Sequence, residues 1–346
     1  MLQLNCSQCE EEFPLTRKIP WCSCGGLFEL KFETPPLIVD EKEFSMWRYA
    51  TALPVGTRVS LGEPITPIEE IKLADRSVDA KLEFLFPTGS FKDRGSAVFV
   101  SALKDCGVEC FIEDSSGNAG ASIANYAARA GIACEVYCPT SASGVKIWQI
   151  EQSGAKIYRV PGPRKNATDA LLERAGSVFY ASHNWHPLFL HGTKTLAYEI
   201  AEQYDWEPPQ HIVSPASGGS VVLGLQLGFQ ELVEAGKISS LPLLYAIQAE
   251  ACAPLLYDRV KPRPSLAEGI LSLNAPRLDL LRSSVSGAAA VGEEEIANGY
   301  LALANQGVLV EPTSAVLYFG VQKLSIPADD RVLVILTGSG LKSFNT

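Results

Sequence analysis

Several things are missing from this sequence, and each absence removes a class of function. No run of about eighteen apolar residues occurs, so no segment has the length of a membrane-crossing helix and no membrane partner is expected. No basic stripe is available to neutralise phosphates. With 29 Lys and Arg against 39 Asp and Glu, the net charge of -10 argues against a nucleic-acid partner. The opening residues, MLQLNCSQCEEEF, lack the basic and apolar regions of a secretory leader, and the expected location is cytoplasmic. No internal repeat or low-complexity segment stands out.

What is present reads as a soluble globular protein. A length of 346 residues sets a prior of about two domains, each able to bury a core. Hydrophobic residues at 47% and charged residues at 20% are ordinary values for such a protein. The nine cysteines fall into two groups. Cys106, Cys110, Cys134, Cys138 and Cys252 sit in apolar or helix-like contexts, as reduced, buried small residues do. The other four form Cys6-x-x-Cys9 and Cys22-x-Cys24-Gly25-Gly26, a zinc-ribbon-like pattern. Four thiolates there would close a tetrahedral site and staple a segment too short for its own core. The second pair has one intervening residue where a standard knuckle has two. Two readings stay open, a structural zinc site and a ribbon that has lost its metal; neither leaves a coordination position for catalysis.

After the ribbon-like segment (1–33), Thr34-Pro35-Pro36 reads as a linker. Apolar runs then alternate with helical patterns. Strands are expected at Cys110–Glu113, Ala133–Tyr137, Lys156–Val160, His211–Val213, Leu243–Ile247 and Arg331–Leu336. Helices are expected at Lys92–Lys104, Asn118–Ala130, Gly144–Gln152, Ala167–Ala175, Leu190–Tyr204 and Ser220–Val233. Strands alternating with helices imply right-handed crossovers and parallel sheets covered on both faces. Such sheets bind ligands beyond the carboxyl ends of their strands. The loops of interest fall there.

One of these loops, Pro87-Thr88-Gly89-Ser90-Phe91-Lys92-Asp93-Arg94-Gly95, sets a single lysine behind a Gly-Ser turn at the start of a helix. A lysine amine attacks a carbonyl when it is held in place and partly stripped of water. The plain alternative is a surface lysine paired with Asp93. Ser217-Gly218-Gly219-Ser220 follows a strand and opens a helix, so its free N–H groups and the helix dipole favour a dianion. Adjacent Gly218 and Gly219 do not fit the Gly-x-Gly-x-x-Gly dinucleotide fingerprint. Asn118 also suits a helix N-cap, and Thr337 a turn after the last strand.

The string TGSFKDRG resembles the cofactor-lysine motif of pyridoxal-phosphate enzymes of the tryptophan-synthase-β fold type, most closely the threonine synthases. Ser115 to Gly120 (SSGNAG) resembles that family's asparagine loop. Ser214 to Ser220 lies where the family binds the cofactor phosphate, and Leu336 to Lys342 resembles its C-terminal loop. Gly192-Thr193-Lys194-Thr195 also fits, and family members often carry an N-terminal ribbon. The order of these loops is the specific signal.

The resemblance implies an α/β fold with two doubly wound, mainly parallel sheet domains and a short N-terminal zinc-ribbon-like segment. The large cofactor domain would cover 34–94 and 206–346, and a small mobile domain 95–205. Lys92 would carry pyridoxal 5'-phosphate and act as base for the substrate α-proton. Asn118 would meet the ring oxygen, and Ser217, Gly218, Gly219, Ser220 and Val221 the phosphate. Thr337 would meet the ring nitrogen. A neutral hydroxyl there does not force protonation, and the resulting moderate electron sink suits elimination and replacement more than transamination. Glu311 lies where the family has an acidic residue near the ring. Ser115, Ser116, Asn184 and Arg94 would bind the substrate, with Ser182, His183, Arg159 and Lys194 as further candidate contacts for a second phosphate. Zinc would be held by Cys6, Cys9, Cys22 and Cys24. A homodimer and a small amino-acid substrate are implied.

The chain departs from the threonine synthase pattern in places. Ser265-Leu266-Ala267-Glu268-Gly269-Ile270 stands where many threonine synthases have Arg-Ile-Gly-Asn-Pro, and it is closer to the serine/threonine dehydratases. Ser339 stands for a common His, and the phosphate loop reads SGGS where GNAGN is usual. Asp93-Arg94-Gly95 nevertheless follows the threonine synthase pattern. The expected reaction is conversion of O-phospho-L-homoserine and water to L-threonine and phosphate. The alternatives are an ammonia-lyase on serine or threonine, a β-replacement synthase on a phosphorylated amino acid, and a non-catalytic amino-acid binder.

Overall fold

The computed structural model describes residues 2–258, 260–272 and 275–343. The chain divides into two compact units. One runs to Glu63 and resumes over Lys92–Gly192; the other comprises Pro64–Phe91 and Thr193–Ser343. The chain passes from one unit to the other after Glu63, Phe91 and Gly192.

The first unit begins with a three-stranded antiparallel sheet in the order Glu12–Pro14, Gln3–Cys6, Phe28–Lys31. Its apolar core is small, centred on fully buried Leu4 and Phe28. It is also tied to the rest of the unit. Lys18 donates to the Ser177 carbonyl at 2.6 Å, Tyr180 N donates to the Lys18 carbonyl at 2.9 Å, and Trp21 packs on Tyr180 and Trp185.

The main sheet of this unit is parallel, in the order Lys156–Val160, Ala133–Pro139, Cys110–Glu113, Phe179–Tyr180. Phe111 and Ile112 are fully buried in the Cys110–Glu113 strand, and each such burial stabilises by about 1.5–3 kcal/mol. The strand ends at the loop that enters the Asn118–Ala130 helix, which packs against the Lys92–Asp105 helix. Two glycines set these approaches. A Cβ at Gly120 would lie 1.7 Å from the Ser115 carbonyl oxygen, and one at Gly95 would lie 2.5 Å from the Phe189 ring. The cap of the Asn118–Ala130 helix is Gly117, so Asn118 is its first helical residue and not its cap.

The second unit carries a six-stranded sheet in the order Gly287–Val291, Leu243–Ala249, His211–Pro215, Val332–Ile335, Arg76–Lys81, Ile68–Leu73. Every neighbouring pair is parallel except the last, which is antiparallel. His211–Pro215 and Val332–Ile335 are buried along their whole length, as central strands covered on both faces must be. The edge strand IEEIKL exposes its glutamates, and those charges discourage further pairing. Lys81 is fully buried yet satisfied, donating to the Thr66 carbonyl, Glu199 and Gln203.

Most expected elements match the structure to within a few residues; two differ more. The Ala167–Ala175 helix lies at Arg164–Leu172, because Pro163 caps it and the chain turns at Glu173. The single helix expected over Leu190–Tyr204 is two, Leu188–Thr193 and Thr195–Gln203.

Candidate active site

In the first unit Lys92 opens its helix as a half-buried residue. Its amine lies 5.6 Å from the centre of the Phe189 ring. The amine's proton affinity is pushed down to about 8, chiefly by burial; the charge of Glu113 opposes that shift and Arg164 adds to it. Lys81 and Lys194, whose side chains are fully buried, are ion-paired with Glu199 and Glu231. The lowered proton affinity of Lys92 suits its amine to attack on a carbonyl.

The loop after the Cys110–Glu113 strand brings Ser115, Ser116 and Asn118 together. Ser115 Oγ accepts from Gly117 N at 3.3 Å, which curls the loop so that the helix starts directly behind it. Asp114 accepts from Tyr180 Oη at 2.9 Å and from Thr168 Oγ1 at 2.8 Å. Asn184 is half-buried on the turn closed by His186 N donating to the Ser182 carbonyl. Arg94 is fully buried within its helix. Arg159 faces Glu151 and the Ala142 carbonyl at the surface, and Lys194 is held by Glu231 at 2.8 Å in the second unit; both of these cations already have local partners.

In the second unit the His211–Pro215 strand runs into Ser217-Gly218-Gly219 and the Ser220–Glu234 helix. Gly219 caps that helix in the left-handed region, with φ at +80° and no side-chain capping bond. A Cβ there would also stand 2.8 Å from Leu281 Cδ2. Glycine is thus required by both backbone and space. The result is the positive end of a fifteen-residue helix whose cap residue carries no side chain. Ser217 Oγ is engaged with the backbone of Ser272, donating to its carbonyl at 2.9 Å and accepting from its N–H at 3.1 Å. That hydroxyl fixes the loop, and the backbone N–H groups of Ser217 to Val221 and the Ser220 hydroxyl are what the loop can offer an anion.

Thr337 lies two residues past the end of the last strand and is buried. Its hydroxyl lies 3.1 Å from Ser314 Oγ, which also accepts from Thr337 N at 2.9 Å. Glu311 is buried at the start of the short Pro312–Ala315 helix, its N–H donating to the Gly338 carbonyl. This C-terminal loop clamps the segment that leads into Lys92. Phe91 N donates to the Thr337 carbonyl, Ser339 N to the Gly89 carbonyl, and Lys342 Nζ to the Thr88 carbonyl.

The four N-terminal thiols converge. Cys6 and Cys24 Sγ are 3.5 Å apart, Cys9 stands 3.6 Å from both Cys22 and Cys24, and all four lie within 4.8 Å of one another. Tetrahedral zinc with bonds of about 2.3 Å places its sulfurs about 3.8 Å apart. Gln8 N and Gly26 N point at Cys6 and Cys24 sulfur, as they would toward thiolates. A Cβ at Gly26 would strike Cys6 Sγ at 2.5 Å. The single residue between Cys22 and Cys24 does not prevent convergence, and the donor set fits zinc.

Residues 59–338 match the family described as pyridoxal-phosphate dependent enzyme. The chain belongs to that family. It is 34% identical over 377 aligned residues to a threonine synthase of Methanocaldococcus jannaschii, covering 99% of this chain and 93% of that protein. A threonine synthase of Methanosarcina acetivorans is 32% identical, with 100% and 93% covered. Among solved structures, a threonine deaminase of T.th. superposes with a TM-score of 0.67 at 25% identity, covering 80% of this chain and 92% of that one. As a pyridoxal-phosphate dependent enzyme, the chain has residues that fit the cofactor on structural grounds. The glycine-capped helix end suits its phosphate, and the desolvated Lys92 amine suits its aldehyde.

Sequence reasoning passed over three groups. Glu113, fully buried at the carboxyl end of its strand, meets His183 Nδ1 through Oε1 at 2.8 Å. Burial and the neighbouring Asp114 charge push its carboxyl well up, while burial and the charges of Lys92 and Arg164 hold His183 well down. Ser314, the second group, holds Thr337; nothing in the linear sequence marks it. Arg164 is the third, an exposed cation whose charge reaches Lys92, Glu113 and His183. The readable signal was Glu113 itself, a charged residue closing an apolar strand at a ligand-facing end.

Proposed function

We propose that this chain is a threonine synthase-type lyase, converting O-phospho-L-homoserine and water to L-threonine and phosphate. The observation that carries this reading is the end-to-end similarity to threonine synthases, 34% identity over 99% of the chain, which includes the ribbon segment. Pyridoxal phosphate, when bound, supplies an electron sink for the carbanion formed on the substrate. Lys92 would hold the cofactor, and its amine, when free, would take the substrate α-proton. Asn118 would hydrogen-bond the ring oxygen. The N–H groups of Ser217, Gly218, Gly219, Ser220 and Val221 would cradle the phosphate. Thr337, oriented by Ser314, would face the ring nitrogen with a neutral hydroxyl, which supports elimination over transamination. Ser115, Ser116 and Asn184 would hold the substrate carboxylate and phosphate. Arg94 is buried, which favours a role in shaping its helix over direct substrate contact.

Zinc in the four-cysteine cluster would be structural. A homodimer is supported by the family resemblance. A reducing, cytoplasmic location is supported by nine cysteines outside any disulfide.

A second reading, an ammonia-lyase acting on threonine or serine, is favoured by Ala267-Glu268-Gly269, by Ser339, and by the likeness to a threonine deaminase. A substrate panel separates the two. Incubation with O-phospho-L-homoserine should release phosphate and threonine in equal amounts, while threonine and serine should yield no 2-oxo acid. Phosphate without threonine, or 2-oxo acid from threonine, would overturn the proposed reaction.

A further inference from the structure

Glu113 belongs to the first unit. It ends an apolar strand with its side chain fully buried, and although Oε1 meets His183, Oε2 finds no hydrogen-bond partner among the described residues. A buried acid with an unmatched oxygen is costly, and folds keep such groups mainly at functional sites. Phe189 links the pair to the lysine. Its ring centre is 5.6 Å from Lys92 Nζ, and the His183 ring stands edge-on to the same ring at 5.8 Å. Gly95, on the Lys92 helix, provides the space that Phe189 fills.

We propose that Glu113, seated by His183, is a positioning residue for Lys92, its carboxyl group supplying the buried counter-charge against which the lysine amine gains and gives up its proton. This rests on Lys92 being the lysine that carries the cofactor. In the exchange a carboxylic acid and a neutral amine become a carboxylate and an ammonium, with no net proton drawn from water. The neighbouring charges fit the assignment. Asp114 has its oxygens engaged by Tyr180 and Thr168, and Asp93 accepts from Ser122 Oγ at 2.6 Å. Arg164 is a cation that opposes protonation of Lys92 and His183 and favours ionised Glu113. Cys134 and Tyr180 lie in the field of Glu113, and burial first, with that charge added, pushes both of their proton affinities up.

The test uses the full-length protein stripped of cofactor. The rate at which pyridoxal phosphate is taken up is followed by its visible absorbance, from about pH 6 to pH 10. Uptake requires the neutral amine, so the wild-type rate should rise with a midpoint of about 8. In Glu113→Gln the ammonium loses its counter-charge, and the midpoint should fall by about one unit. Glu113→Asp retains a carboxyl group and should stay near the wild type. His183→Leu unseats the carboxyl and should shift the midpoint in the same direction as Glu113→Gln, while His183→Asn keeps a polar partner for Oε1 and should shift it little. Circular dichroism reports folding; if Glu113→Gln does not fold, the histidine pair and Glu113→Asp carry the test. An unchanged midpoint in folded Glu113→Gln and His183→Leu, with uptake lost in Lys92→Ala, would overturn the proposal and leave the cofactor lysine standing. Uptake that survives in Lys92→Ala would overturn both.

Discussion

A lysine with an ordinary amine would stay charged up to about pH 10.5, but burial brings Lys92 to about 8. Below that value the amine is an ammonium; above it the amine is neutral and able to attack or to accept a proton. Amine-selective acylation of the cofactor-stripped protein should therefore label Lys92 with a midpoint near pH 8. A midpoint near that of an ordinary lysine would show the burial to be misread. Ser314 is the other informative residue at this scale. It accepts from Thr337 N and meets the Thr337 hydroxyl, and Ser314→Ala leaves both without that partner. The expected cost is about 1–3 kcal/mol of stability, read by denaturant unfolding, with weaker cofactor retention. Lys92 could be picked out in the sequence because a Gly-Ser turn announced it. Ser314 could not, since it and Thr337 are 23 positions apart and meet only through the fold.

At the scale of elements, the parallel strands were legible because a strand covered on both faces is a short apolar run. Cys110–Glu113 and Lys156–Val160 fall where the sequence placed them. Ile68–Leu73 and Gly287–Val291 were not legible. The first is an edge strand full of charge, and the second is GAAAV, with little of the β-branched signal that strands usually carry. The turn glycines have separable roles. Gly219 and Gly131 both occupy the left-handed region, yet only Gly219 would also bring a Cβ against a neighbour, Leu281. Each change to alanine should cost about 1–2 kcal/mol from the backbone alone. Gly219→Ala should in addition weaken cofactor binding, measured by fluorescence titration, and Gly131→Ala should not. Equal cofactor affinity in the two variants would contradict the cradle assigned to the Ser220–Glu234 helix.

At the scale of the whole molecule, the ribbon and the family resemblance belong together. The four cysteines fold into one cluster, and Lys18 and Trp21, carried by the same segment, pack on Ser177, Tyr180 and Trp185. Elemental analysis of the purified protein should find about one zinc per chain. Cys22→Ser with Cys24→Ser should remove it and lower the thermal midpoint while the cofactor absorbance remains. Absence of zinc would favour a ribbon that has lost its metal. The central claim, however, is that Lys92 holds pyridoxal phosphate. Borohydride reduction of the purified protein, followed by digestion and peptide mass mapping, tests it most directly. The cofactor's mass should appear on the peptide containing Lys92 and on no other. Its appearance at Lys81 or Lys194, or on no peptide of a protein loaded with the cofactor, would contradict the account.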